Sequence, residues 1–218
     1  MLTAMSCIRR CFWPLFGACA ALSAVILALM PSEKTIGQVI KIVYLHGALS
    51  RAGMIGFWAA AVAGALFLIR PRAAFSNWSQ ALLLSGWAYW TAHFLVSIPA
   101  TRLTWGPWVA WGEPRVTMTL QVMAAGLIVS AVSRLLAHAR FAAAANLLLG
   151  LAVLLLVAQT GVLRHPLDPI GTSPSTTLRL VYLLLLLPII AGMFLSAWRL
   201  TEAAVVRSVS ASPERRCT

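Results

Sequence analysis

Polar residues in this chain fall in short groups that divide six long apolar runs, at about Phe12 to Met30, Ala52 to Ile69, Ala81 to Ile98, Val116 to Leu136, Phe141 to Leu163 and Leu180 to Trp198. A helix needs roughly 20 apolar residues to cross about 30 Å of hydrocarbon, so each run is long enough for one crossing. Strands of an outer-membrane barrel would alternate polar and apolar residues, whereas Leu147 to Val157 is apolar throughout. The pattern predicts an all-α fold, a polytopic membrane helix bundle of about six transmembrane helices. Helix two is expected to begin earlier than its apolar run, near Gln38, because nothing from Gln38 to Ser50 breaks a helix; His46 then rises toward the headgroups. The first run follows Arg9-Arg10 as a signal peptide would, but it is too long for that role and lacks a clean cleavage site, so it reads as a retained span. Residues 1–206 form one membrane domain in this reading, followed by a polar tail over 207–218.

Composition agrees with the pattern. Of 218 residues, 61% are hydrophobic and 10% charged, with a mean hydropathy of +0.87, which excludes a water-soluble domain, where about a quarter would be charged. The net charge of +12 would suggest nucleic acid in a soluble protein, but here the basic residues sit between spans and act as topology signals, with no nucleic-acid partner implied. With both termini cytoplasmic, the inner set is Arg9, Arg10, Arg70, Arg72, Arg134, Arg140, Arg199, Arg207, Arg215 and Arg216. The outer set is Lys34, Lys41, Arg51, Arg102, Arg115, Arg164 and Arg179, against only Glu33, Glu113 and Asp168. That outer excess invites an anionic ligand; anchoring to lipid phosphate is the alternative. The cysteines Cys7, Cys11, Cys19 and Cys217 form no C-x-x-C pair and read as structural thiols.

The two long loops, 99–115 and 164–177, both fall on the outer side, and function is expected there. The first carries Trp105, Trp108 and Trp111, three of nine tryptophans, among glycines and prolines; such a cluster can form an aromatic shelf for a flat ligand. His46, His93 and His165 lie toward the outer half. Neutral imidazole is a good axial ligand for haem iron, and a porphyrin takes one ligand on each face. His46 and His165 are the natural pair, since they share one depth on separate elements beside the tryptophans. His93, inside helix three, is expected to be structural, or an additional ligand; His138 is expected to be solvated. Lys41, Arg51, Arg102, Arg115 and Arg164 could meet haem propionates.

Three segments resemble the cytochrome c assembly family of haem-handling proteins, and most closely its short six-span haem-exporter members. Lys41-Ile42-Val43-Tyr44-Leu45-His46 resembles the family's basic-x-x-Tyr-x-His segment. Trp105 to Thr117 resembles its tryptophan-rich motif, with Val109 and Ala110 at the central Trp pair, Gly112 at the motif's Asp and Glu113 displaced by one. His165-Pro166 resembles the second family histidine. Gly47-Ala48 stands where Val-Pro is usual, and Arg51 lies in a normally uncharged stretch. The resemblance implies that haem b lies against Trp105, Trp108 and Trp111 at the periplasmic face of a bacterial inner membrane, held through its iron by His46 and His165. It further implies presentation of that haem to a periplasmic haem chaperone, in concert with ATP-binding cassette transporter subunits, without catalysis by this chain, although it could assist haem attachment beside a separate partner. Two other readings stand: a b-type membrane cytochrome exchanging electrons with quinone through His93, and a haem-free carrier or structural subunit.

Overall fold

A computed structural model of the chain describes residues 2–163, 170 and 173–210, with side chains for 11–163, 170 and 173–202. Six helices follow one another: α1 (Leu2–Leu29), α2 (Ile40–Ile69), α3 (Ala73–Trp105), α4 (Pro114–Leu136), α5 (Ala139–Gln159) and α6 (Thr176–Ser210). All six contain a stretch long and apolar enough to cross a membrane, and the chain is an integral membrane protein. Apolar side chains face outward on most of them, Leu148, Leu155 and Leu187 among them, which water would penalise and lipid does not.

The helix boundaries follow local chemistry. α2 begins near the expected Gln38, at Ile40. α4 opens with Pro114 at its first position, where a missing N–H costs no hydrogen bond. Between α4 and α5 stand only Ala137 and His138, and the imidazole Nδ1 of His138 accepts from the Phe141 N–H at 3.2 Å. The ring expected to be merely solvated therefore caps α5. α3 runs further than its apolar run predicted: Pro99 lies within it, the stretch 101–105 holds no breaker, and the helix stops at Gly106, whose φ of +94° suits glycine. The expected loop 99–115 thus shrinks to 106–113. α5 ends at Gln159, short of the expected Leu163, where Thr160 takes an extended backbone ahead of Gly161. At the other terminus α6 continues through 207–210, past the boundary expected at 206.

α2 and α3 form the central pair. Gly53, Gly56 and Gly86 let their backbones touch: a Cβ added at Gly56 would lie 2.5 Å from the Cα of Gly86. Around this seam α5 and α6 also pack on α2, α4 packs on α3 and α5, and α1 rests mainly on α6. Two α3 indoles stitch α4 in place, with Trp87 Nε1 donating to the Met123 carbonyl at 2.8 Å and Trp90 Nε1 to the Thr119 carbonyl at 3.2 Å. A polar link ties α5 to the pair, as Asn146 Nδ2 donates to Ser79 Oγ at 2.9 Å and that hydroxyl donates to the Ala60 carbonyl at 2.9 Å. Inside a bundle with no water to bond, such links fix which faces meet. The antiparallel order gathers the starts of α2, α4 and α6 with the ends of α1, α3 and α5; because His46 lies there, we call this the histidine end.

Candidate functional site at the histidine end

His46 stands in the second turn of α2 and His93 in α3. Seven residues separate His46 from Gly53, and seven separate Gly86 from His93. An α-helix returns to nearly the same face after seven residues. In an antiparallel pair whose backbones touch at Gly53 and Gly86, the two imidazoles must therefore meet two turns further along the same seam. They do: the ring centroids are 4.2 Å apart and the planes 27° from parallel.

Each ring is also tied to the opposite backbone. His46 Nδ1 lies 3.3 Å from the His93 carbonyl oxygen, and His93 Nδ1 lies 3.1 Å from the His46 carbonyl oxygen. A carbonyl oxygen can only accept, so each Nδ1 carries the hydrogen, and in the neutral ring the lone pair is on Nε2. Metal-bound imidazoles commonly have this arrangement, the other ring N–H donating to a backbone carbonyl and fixing the tautomer. His93 is 8% exposed and backed by Trp90, whose ring centroid is 5.2 Å away. His46 is half-buried.

The fold brings His46 against His93, the imidazole expected to be structural or an additional ligand. His165 and Arg164 lie outside the described residues. Imidazoles on opposite faces of one porphyrin aim nitrogens at each other through the iron; His46 and His93 lie face to face, so this arrangement does not make them the two axial ligands of a single haem.

The tryptophans divide. Trp105 is the last residue of α3 and half-buried, while Trp108 and Trp111 are 61% and 69% exposed. Arg102 braces the loop by donating to the Gly106 carbonyl and by placing its guanidinium 5.5 Å from the Trp108 ring centroid. Between the indoles Ala110 is buried, and its carbonyl accepts the Glu113 N–H at 2.8 Å, closing a turn that leads into α4. The small residue at 110 is thus the loop's inward anchor, between two exposed indoles.

Glu113 is 2% exposed. Its two carboxylate oxygens accept from the Leu163 N–H at 3.2 and 3.3 Å, so the tryptophan loop is tied to the segment that follows α5. Spacing gave no sign of this link, because its partner is a backbone N–H and carries no residue signature. Glu33 also serves backbone: its carboxylate accepts from the Thr35 N–H at 2.6 Å and the Ile36 N–H at 2.9 Å. Those donors, Ile36 foremost, hold its carboxyl below the usual carboxylate value.

The predicted cations are not equivalent. Lys41 Nζ donates to the Ala28 carbonyl at 2.9 Å, pinning the end of α1 to the start of α2. Arg51 is exposed. Arg115 is half-buried, and its Nε is buried without a hydrogen-bond partner among the described residues. A guanidinium with an unmatched donor suits a carboxylate. No cluster of three or more His, Cys, Asp or Glu that could hold a bare metal ion occurs among the described residues. The local chemistry is therefore one tautomer-fixed imidazole pair, two exposed indoles and a half-buried arginine with an unmatched donor at one end of the bundle. Comparison with protein-family models and with curated proteins finds no match for this chain.

Proposed function

We propose that the chain is a haem-handling membrane protein of cytochrome c biogenesis, which binds haem b at the periplasmic face of a bacterial inner membrane and presents it to a haem chaperone alongside ATP-binding cassette transporter subunits. One observation carries the reading. The imidazole of His46, at the bundle end that also carries the exposed Trp108 and Trp111, holds its Nδ1–H on the His93 carbonyl, the tautomer common to metal-bound histidines.

In this reading haem is cargo. His46 offers Nε2 to the iron with its Nδ1–H held by a carbonyl, and His165 is the proposed second ligand. Trp108 and Trp111 offer faces for the porphyrin, each stacking contact contributing about 1 kcal/mol, while Arg115 and Arg51 meet the propionates and Lys41 keeps the start of α2 in place. Exposed indoles on a loop suit a ligand that must leave again. No covalent step is required of this chain.

The test is haem uptake followed by release. Protein purified from haem-replete cells is expected to carry haem with a bis-imidazole spectrum and to surrender it to excess apomyoglobin. Haem that stays bound and is reduced by quinol would favour the electron-transfer cytochrome, and colourless protein would favour the haem-free subunit.

A further inference from the structure

The imidazole stack continues inward. His46 lies on His93, His93 lies against Trp90 at 5.2 Å, and Trp90 meets Phe57 edge-on at 6.2 Å between centroids. Each inner ring is fixed independently: Trp90 donates to the Thr119 carbonyl, and both Trp90 and Phe57 are fully buried. His93 is thus a plate whose position is set from behind by a rigid aromatic column, and His46 is the half-buried ring resting on it. The two cross-bonds are reciprocal, so neither imidazole can rotate about its χ torsions without losing its donor bond and uncovering the other's face.

We infer that His93 is a positioning residue for the iron ligand His46: its ring fixes the plane of the His46 imidazole by stacking, and its Nδ1–H to the His46 carbonyl locks the two helix backbones at the distance that lets His46 donate in return. The inference rests on the haem reading for its consequence, but not for its geometry. The orientation and basicity of an axial imidazole set the ligand field at the iron. Loss of such an outer partner commonly weakens metal binding about 10- to 100-fold. A merely space-filling residue would change stability and leave that field alone.

Three variants separate the contributions. His93→Phe keeps the plate and removes the donor, His93→Asn keeps a donor and removes the plate, and His93→Ala removes both. Helicity and monodispersity in detergent identify any variant that fails to fold, and the two conservative changes guard against losing the test to His93→Ala.

The first readout needs no haem. In the purified, haem-free protein labelled with ¹⁵N-histidine, both rings are expected as Nδ1–H tautomers, and His46 is expected to become a mixture in His93→Ala. The second is haem-loaded protein, in which the low-spin ferric EPR g values should shift in every variant. Release to apomyoglobin should quicken about tenfold in His93→Ala and less in the other two. An Nε2–H tautomer at His46, or g values and release rate unchanged in a folded His93→Ala, overturns the inference and leaves the haem reading intact. Wild-type protein that takes up no haem overturns the haem reading and the ligand-positioning role with it.

Discussion

The glycine seam and the histidine end occupy the same face of the same two helices, seven residues apart on each, and differ in what fills the gap. At the seam nothing does, since Gly53, Gly56 and Gly86 bring backbone against backbone. At the histidine end the gap is filled by two stacked rings, each bonded to the opposite carbonyl. The seam sets the helix separation, and the separation sets the ring stack. Stability and ligand chemistry are therefore linked in one direction: damage to the seam should reach the site, while damage to the exposed part of the site should not reach the seam.

The largest expected effect is on that dependence. Gly56→Leu inserts a side chain where even a Cβ would overlap the Gly86 Cα, and should cost about 3 kcal/mol, seen as a lowered melting temperature in detergent with haem binding lost as well. Glu113→Ala removes a buried acceptor and orphans the Leu163 N–H. It should cost about 2 kcal/mol and detach the tryptophan loop, weakening haem retention while limited proteolysis shows the α2–α3 pair intact. Trp108→Ala and Trp111→Ala remove exposed side chains, so stability should move by less than about 0.5 kcal/mol while haem affinity falls about thirtyfold in the double variant. If either indole change lowered the melting temperature as Gly56→Leu does, the contrast between seam and site would be wrong.

The smallest effect concerns Glu33, whose carboxyl is held low by the Ile36 and Thr35 N–H groups. A depressed folded-state pKa contributes stability above the ordinary carboxylate range and loses it as pH falls through the depressed value. The melting-temperature difference between wild type and Glu33→Gln should therefore be present at neutral pH and shrink on acidification.

Much of the fold was legible because the demands of a bilayer are coarse. Six apolar runs gave six helices, and an unbroken stretch from Gln38 gave the early start of α2. The misplaced ends came from treating apolarity as the limit of helicity: Thr101, Arg102 and Thr104 are polar yet helical, and the chain turns only where Gly106 takes a positive φ. At the site, residue types point to His46 and the tryptophans, and the pairing of His46 with His165 rests on shared depth and on separate elements beside the tryptophans. The signal for His93 was present in the equal seven-residue offsets from Gly53 and Gly86, which become informative only once those glycines are known to face each other. The Glu113 link was not legible at all, since a carboxylate seeking a backbone N–H leaves no mark at the partner position.

The account depends most on His46 as an iron ligand, and the absorption spectrum of reduced protein from haem-replete cells tests this directly in wild type, His46→Ala and His165→Ala. The account predicts sharp low-spin bands in wild type that are lost in both variants while the helical content is retained. Wild-type bands that persist unchanged in folded His46→Ala would contradict it.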